Sequence, residues 1–392
     1  LNGVEMGQNR LQRALHAARN GHWPDSARVK GFSVLFLIAW VPMLAKVFFE
    51  ATGGAGSDFL AFWGAGRILA GGNPANVYNL LAEQAAQAAS GTGQLVAYVN
   101  PPPYLFLVAP LGWLPYVVAW VAWGLAGWAA WFLVARRIAP GHALAILASP
   151  VAYLAASHGQ NGFFTAALLV GGVLFLPRKP WLAGALFGAL IIKPHLALLV
   201  PFWLLAGRQW RAIGGAAISA IGLCLLSLLV FGPETWAAYP QSFHVSRVLM
   251  AQSGGEFFVR MCTPYAAVHV LAGQAIAVVL QGFITLGGIA ITCLAWRRSA
   301  DAQATGAMML AATALASPYL FSYDLAFLVQ PVFWLATEAR RTGWRPWEKQ
   351  ALILLWLAPL ATRAAALPLG INLMPLAAAA LLALVWTRLS RK

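Results

Sequence analysis

GFSVLFLIAWVPMLAKVFF, residues 31–49, carries one cation (Lys46) and no acid. A bilayer crossing takes roughly 20 mostly apolar residues, so this stretch reads as a membrane-spanning helix. Similar apolar segments follow at about 104–116, 117–135, 142–157, 162–177, 181–192, 194–207, 212–231, 257–272, 274–296, 303–316, 319–338, 350–362 and 367–387. Of the 392 residues, 60% are hydrophobic and only 9% are charged. A soluble domain averages about 25% charged residues, so this surface is not built for water. The expected fold is an all-α polytopic membrane protein with roughly 10–13 crossings by the apolar-length criterion. Residues 1–30 lack the apolar core of a signal peptide and read as a cytosolic tail. Residues 31–387 then form one transmembrane domain, and 388–392 a cytosolic C-terminus.

The net charge of +15 raises the question of nucleic acid, which the positions of the cations answer. Twenty of the 26 Lys and Arg fall in clusters flanking apolar segments: Arg10 to Lys30, Arg136–Arg137, Arg178–Lys179, Arg208 with Arg211, Arg297–Arg298, Arg340 to Lys349 and Arg388 to Lys392. Such clusters are cytoplasmic anchors under the positive-inside rule. The expected surroundings are membrane lipids and no nucleic acid. Lys46, Arg67, Lys193, Arg247, Arg260 and Arg363 lie outside the clusters and need another account. The cysteines and histidines show neither disulfide nor metal-ligand spacing, so no metal and no cofactor is expected.

Two segments without a continuous apolar run, 50–103 and 232–256, form the expected outer loops. Phe59, Phe62, Trp63 and Leu69 fall near helical spacing in the first, the pattern of a short helix in the membrane interface with its apolar side down. Parity fails once. If 104–116 and 117–135 both cross, Arg136–Arg137 lands outside, so either one of them is re-entrant or the Arg pair is an exception.

The 11 Asp and Glu divide by side. Glu5, Asp25, Asp301, Glu338 and Glu348 accompany the basic clusters; Glu50, Asp58, Glu83, Glu234 and Glu256 belong to the outer loops, with Asp324 at the start of an apolar segment. Lys193, Arg247, Arg260 and Arg363 fall toward the same outer side, and ionisable groups near hydrocarbon usually mark function. Structural alternatives stand beside each. Asp58 suits an N-cap. Lys193, in ALIIKPHLALLV (189–200), suits a snorkelling anchor next to a helix-breaking proline. SHGQNG (157–162) suits a polar turn, and Asp324 a helix start.

Five motifs, in order, resemble glycosyltransferase family 87 of the GT-C fold: GSDFLAFWGAGRILAGGNPANVYN (56–79), NPPPYLFLVAPLGWLPY (100–116), HGQNGFFTAALL (158–169), LFGALIIKPHLALLVPFWLL (186–205) and SPYLFSYDLAFL (317–328). The resemblance implies a bacterial inner-membrane enzyme, its active site facing the periplasm, that takes a hexose, mannose in the first instance, from a polyprenyl-phosphate donor and hands it to a glycolipid or glycan acceptor. It makes Asp58 the general base and Lys193 a donor-phosphate contact; Arg247 and Arg260, on the same outer side, are further phosphate candidates because a leaving phosphate needs cations. Tyr104, His158, Gln160, Asn161, His195, Tyr319, Tyr323 and Asp324 become the candidate substrate contacts. The chemistry agrees: a sugar hydroxyl needs a base as inverting attack proceeds, and a departing lipid phosphate needs cations rather than an acid. The rival is a transporter or flippase, which places its ionisable residues at the bilayer midplane rather than at one interface.

Overall fold

The fold is that of a computed structural model. It describes residues 12–13, 15–17, 19–21, 25–252 and 255–389, so much of the expected N-terminal tail and residues 390–392 of the C-terminus lie outside the described residues. All regular structure among the described residues is helical, apart from one isolated bridge between Met261 and Phe321. The protein is an all-α polytopic membrane protein, as its composition requires. A chain in hydrocarbon must satisfy its own backbone hydrogen bonds, and a helix does so within one segment.

Five helices are long and apolar enough to span: Ser26–Thr52, Tyr116–Ala135, Trp210–Phe231, Gln274–Arg298 and Glu348–Leu369. Trp210–Phe231, with 22 residues, extends about 33 Å at 1.5 Å per residue. Its face bearing Ile218, Leu225 and Leu229 is exposed, as a lipid-facing surface should be. Its other face is small. An added Cβ on Gly184 would lie 2.0 Å from the carbonyl oxygen of Ala212, and one on Gly215 would lie 2.5 Å from that of Trp181. Small residues let helix backbones approach closely in membranes, where apolar side chains gain little by leaving lipid.

The basic clusters gather at one end of the bundle. There Arg298 stacks on Trp386 at 3.9 Å, His142 packs on Phe333 at 5.7 Å, and Arg388 pairs with Glu348 in the interior. The opposite end carries the loops and most of the motifs singled out above. The parity question resolves in favour of re-entry. Residues 102–113 are three short helical pieces, Pro102–Tyr104, Leu105–Val108 and Ala109–Trp113. They do not cross; they fold against Phe59–Ala70, where Gly112 meets Gly66 so closely that a Cβ on Gly112 would sit 2.0 Å from the Gly66 carbonyl oxygen. Of the two segments only Tyr116–Ala135 is long and apolar enough to span, which leaves Arg136–Arg137 with the other basic clusters. The helix Phe59–Ala70 differs from the expected one-sided interfacial helix: every residue from Phe59 to Gly66 is buried. Leu80–Ala88 and the re-entrant pieces cover the side that was expected to face water.

A second interruption matters more. The helix Pro180–Gly188 tightens into a 3-10 turn, Ala189–Ile192, and stops at Lys193, whose φ of −152° and ψ of 69° are not helical. A residue before proline is pushed out of the α region. Pro194 opens a new turn, and Val200–Ala206 leads back toward the basic end, where the Trp203 carbonyl accepts from the Trp296 indole at 2.8 Å. Lys193 sits at the apex of this broken pair.

Candidate active site

The turn 158–161 joins the helices Pro150–Ser157 and Gly162–Phe175, and its two flanking glycines explain where it lies. Gly159 has φ +61°, and a Cβ there would be 2.9 Å from the Phe59 Cβ. Gly162 would place a Cβ 1.9 Å from the Tyr323 carbonyl oxygen. Only glycine permits both approaches, and they bring the start of Phe59–Ala70 and the Ser322–Leu328 turn against two sides of this one turn.

Side chains from the turn then reach two ways. The Gln160 amide donates to Asp58 Oδ2 at 3.0 Å. Asn161 Oδ1 accepts from Lys193 Nζ at 3.1 Å, and the same ammonium donates to Asp324 Oδ1 at 2.5 Å. Asp324 Oδ2 accepts from the Phe321 backbone N–H at 3.1 Å. Lys193 also lies 5.2 Å from the Tyr323 ring, and that ring is 5.3 Å from His158. Consecutive residues thus connect the Asp58 carboxylate to a buried ion pair. His158 donates from Nδ1 to the Leu154 carbonyl at 2.8 Å. Burial holds its imidazole below the usual histidine range, against the Leu154 hydrogen bond and the Asp58 charge, which pull the other way.

Asp58 occupies the position before Phe59–Ala70 in α-region backbone and makes no side-chain cap bond. Its carboxylate instead faces a cavity of about 410 Å³, shared with His158, Tyr153, Glu50 and Arg363. Lys193 is no snorkelling anchor, being 7% exposed with a fully buried partner. SHGQNG is a turn, and a turn whose polar side chains are engaged. Asp324 does begin a helical turn and also holds Lys193.

Tyr104 is fully buried in an aromatic cluster, 5.2 Å from the Phe62 ring and 6.3 Å from Trp123, behind the cavity rather than on its wall. His195 and Tyr319 pack on each other at 5.5 Å along the flank that continues from Tyr323 through Phe321. Arg260 is exposed and paired with Glu256 at 3.2 Å. Arg247 is exposed and donates to the Phe243 carbonyl at 3.4 Å. Neither arginine reaches the Asp58 cavity. Among the described residues no three His, Cys, Asp or Glu side chains converge as a metal site.

Arg363, Tyr153 and Glu50 line the cavity as well; Arg363 and Glu50 were expected on this outer side but with no role in the site, and Tyr153 was not singled out. For Arg363 a signal existed: it interrupts LAPLATRAAALPL (357–369), and a cation within an apolar run is rarely idle. Which way it faced was invisible.

The family model of glycosyltransferase family 87 matches residues 98–318, more than half of the chain. The matched region contains Tyr104, the 158–161 turn, Lys193 and His195, whereas Asp58, Asp324 and Arg363 lie outside it. No curated protein and no solved structure matches the chain at a significant level. With a broken apolar helix pair, a carboxylate-lined cavity at one end of an all-helical bundle and this match, the chain belongs to glycosyltransferase family 87 and is a membrane glycosyltransferase.

Proposed function

We propose that this glycosyltransferase moves a hexose, with mannose the expected sugar, from a polyprenyl-phosphate donor to a glycolipid or glycan acceptor, with inversion and with Asp58 as general base. The observation that carries the reading is the Asp58 carboxylate: it opens onto a cavity, caps nothing, and is oriented by Gln160. A base must lie within hydrogen-bond reach of the proton it removes, and an oriented carboxylate on a cavity wall is suited to that. The acceptor oxygen attacks the anomeric carbon while its proton passes to Asp58, and the bond from that carbon to the phosphate oxygen breaks. Apolar walls from Met43, Val47 and Leu360 suit the first isoprene units of a lipid carrier.

The bilayer orientation follows the charges. Basic clusters crowd the end opposite Asp58, and cytoplasmic loops carry the excess of Lys and Arg. In the bacterial inner membrane that the family resemblance implies, this orientation would face the site to the periplasm. The test is sugar transfer by purified protein in lipid, using polyprenyl phosphate carrying labelled mannose and a membrane lipid extract as acceptor. Labelled product is expected. Its absence with mannose and with the other common hexoses would overturn the donor reading. An impermeant thiol reagent should label Cys introduced near Asp58 from outside intact cells; labelling only after permeabilisation would invert the orientation.

A further inference from the structure

Six cations lie outside the basic clusters, and the structure sorts them by what already neutralises them. Lys46 is exposed and 3.6 Å from Glu50. Arg67 donates to the Gly112 carbonyl at 3.3 Å and lies 5.8 Å from the Trp63 ring. Arg247 and Arg260 are exposed, the first on a carbonyl and the second on Glu256. Lys193 shares a buried pair with Asp324, so the two together present no net charge to a ligand. Arg363 alone lines the Asp58 cavity and has no carboxylate within 4.0 Å among the described residues.

Its position is built rather than incidental. Leu360, Arg363 and Ala364 line the cavity together, and residues three and four apart share one helix face. That helix, Glu348–Leu369, contains Pro359. Asp58 approaches the same space from the first outer loop, and the two opposite charges form no ion pair across it.

We propose that Arg363 is the group that binds the donor's phosphate and carries the charge of the departing polyprenyl phosphate, with Lys193 positioning the turn that orients Asp58. This rests on the glycosyltransfer reading above. In the step, the acceptor oxygen forms its bond to the anomeric carbon and gives its proton to Asp58. The electron pair of the breaking carbon–oxygen bond leaves with the phosphate. A diester with one negative charge becomes a monoester whose charge is about −1.5 to −2 at pH 7. A fixed cation at that phosphate therefore stabilises the transition state more than the bound donor, which is the condition for catalysis. It also holds the product more tightly than the substrate.

The experiment compares binding of a short polyprenyl phosphate, the matching polyprenol and inorganic phosphate to the full-length protein in detergent, by calorimetry. The unsubstituted protein should prefer the lipid phosphate over the polyprenol by roughly tenfold or more, the worth of one charge-assisted hydrogen bond. Arg363→Gln should remove most of that preference while leaving polyprenol binding unchanged. Arg363→Lys should keep part of it, since an ammonium supplies charge without the guanidinium's paired donors. Turnover assays should show weaker inhibition by added polyprenyl phosphate in Arg363→Gln, a change that a purely structural arginine does not produce. Full retention of the lipid-phosphate preference in Arg363→Gln overturns the assignment. Inorganic phosphate binding as tightly as the lipid phosphate would also overturn it, making the site one for free anions. An unsubstituted protein without any preference would instead defeat the polyprenyl-phosphate donor itself. If Arg363→Gln fails to fold, Arg363→Lys carries the test through the same product-inhibition constant, and an unchanged constant counts against the proposal.

Discussion

Two buried ion pairs sit at opposite ends of the bundle, separated by the helix Val329–Thr342, whose 14 residues rise about 21 Å. At the basic end the Arg388 guanidinium pairs with both oxygens of Glu348 and also donates to Thr342 Oγ1 and the Gly343 carbonyl. Glu348 accepts in addition from the Arg345 backbone N–H at 3.0 Å. Every partner there is framework. At the other end Lys193 pairs with Asp324 but gives a second bond to Asn161, the neighbour of the residue that orients Asp58. The first pair fastens helix ends; the second fastens a turn that belongs to the site. Burial and pairing are alike in the two, so they carry no functional information by themselves. What differs is the next bond outward.

The largest expected effect lies at the site end and leaves the fold alone. Asp58→Asn keeps size and can still accept from Gln160, but it cannot take a proton at neutral pH. Turnover should fall by roughly 10²–10⁴, the usual worth of general-base catalysis, with donor binding and thermal unfolding nearly unchanged. Sugar transfer at near wild-type rate would end the assignment of Asp58 as base.

Next come the two pairs themselves. Removing one partner of a buried pair typically costs about 3–5 kcal/mol, because the other charge is left uncompensated. Glu348→Gln and Asp324→Asn should therefore both lower the unfolding temperature in lipid. Only Asp324→Asn should also lower turnover per folded molecule, through Asn161 and Gln160. The double change Lys193→Met with Asp324→Leu should recover stability but not activity. Equal activity losses in the two single variants would erase the distinction between the ends.

A smaller effect tests the scaffold under Asp58. Gly112→Ala would drive a methyl into the Gly66 carbonyl, and overpacking of this kind typically costs about 1–3 kcal/mol. Melting of the bundle should begin at the site end, read as faster hydrogen exchange in Phe59–Ala70 than at the Glu348–Arg388 end. Uniform exchange would mean that the two ends unfold as one.

This distribution of effects also explains what could be read beforehand. Apolar length is a local property, so the five long apolar helices were legible, and so was the break at Lys193–Pro194, where a cation and a proline fall together. Re-entry of 104–116 or 117–135 was one of two readings the charges left open, and the choice was not legible because the partner of 102–113, Gly66, is far away in sequence. The Lys193–Asp324 bond joins residues 131 apart, and each looked plausible alone as an anchor or a helix start. Arg363 stood out as a charge in an apolar run, yet the side it faced depends on how Glu348–Leu369 is rotated. Packing against distant helices sets that rotation.

The smallest effect is the one that separates the two accounts of Asp58 most cleanly. A capping aspartate accepts a hydrogen bond from the second or third backbone N–H of its helix, and losing it costs typically about 1 kcal/mol. Here the N–H groups of Leu60 and Ala61 bond instead to the backbone carbonyls of Ser57 and Asp58, at 3.0 and 3.3 Å. The side chain is free of that duty. Asp58→Ala should thus lose no cap and only the Gln160 hydrogen bond, a net cost of roughly 0.5–1.5 kcal/mol. It should nevertheless lose as much turnover as Asp58→Asn. The measurement is thermal or denaturant unfolding in parallel with sugar transfer on the same preparation. A loss near 1 kcal/mol with activity preserved would return Asp58 to the helix it precedes. Turnover gone while stability falls only by the worth of the Gln160 bond leaves the carboxylate a second partner to serve, and that partner is the substrate.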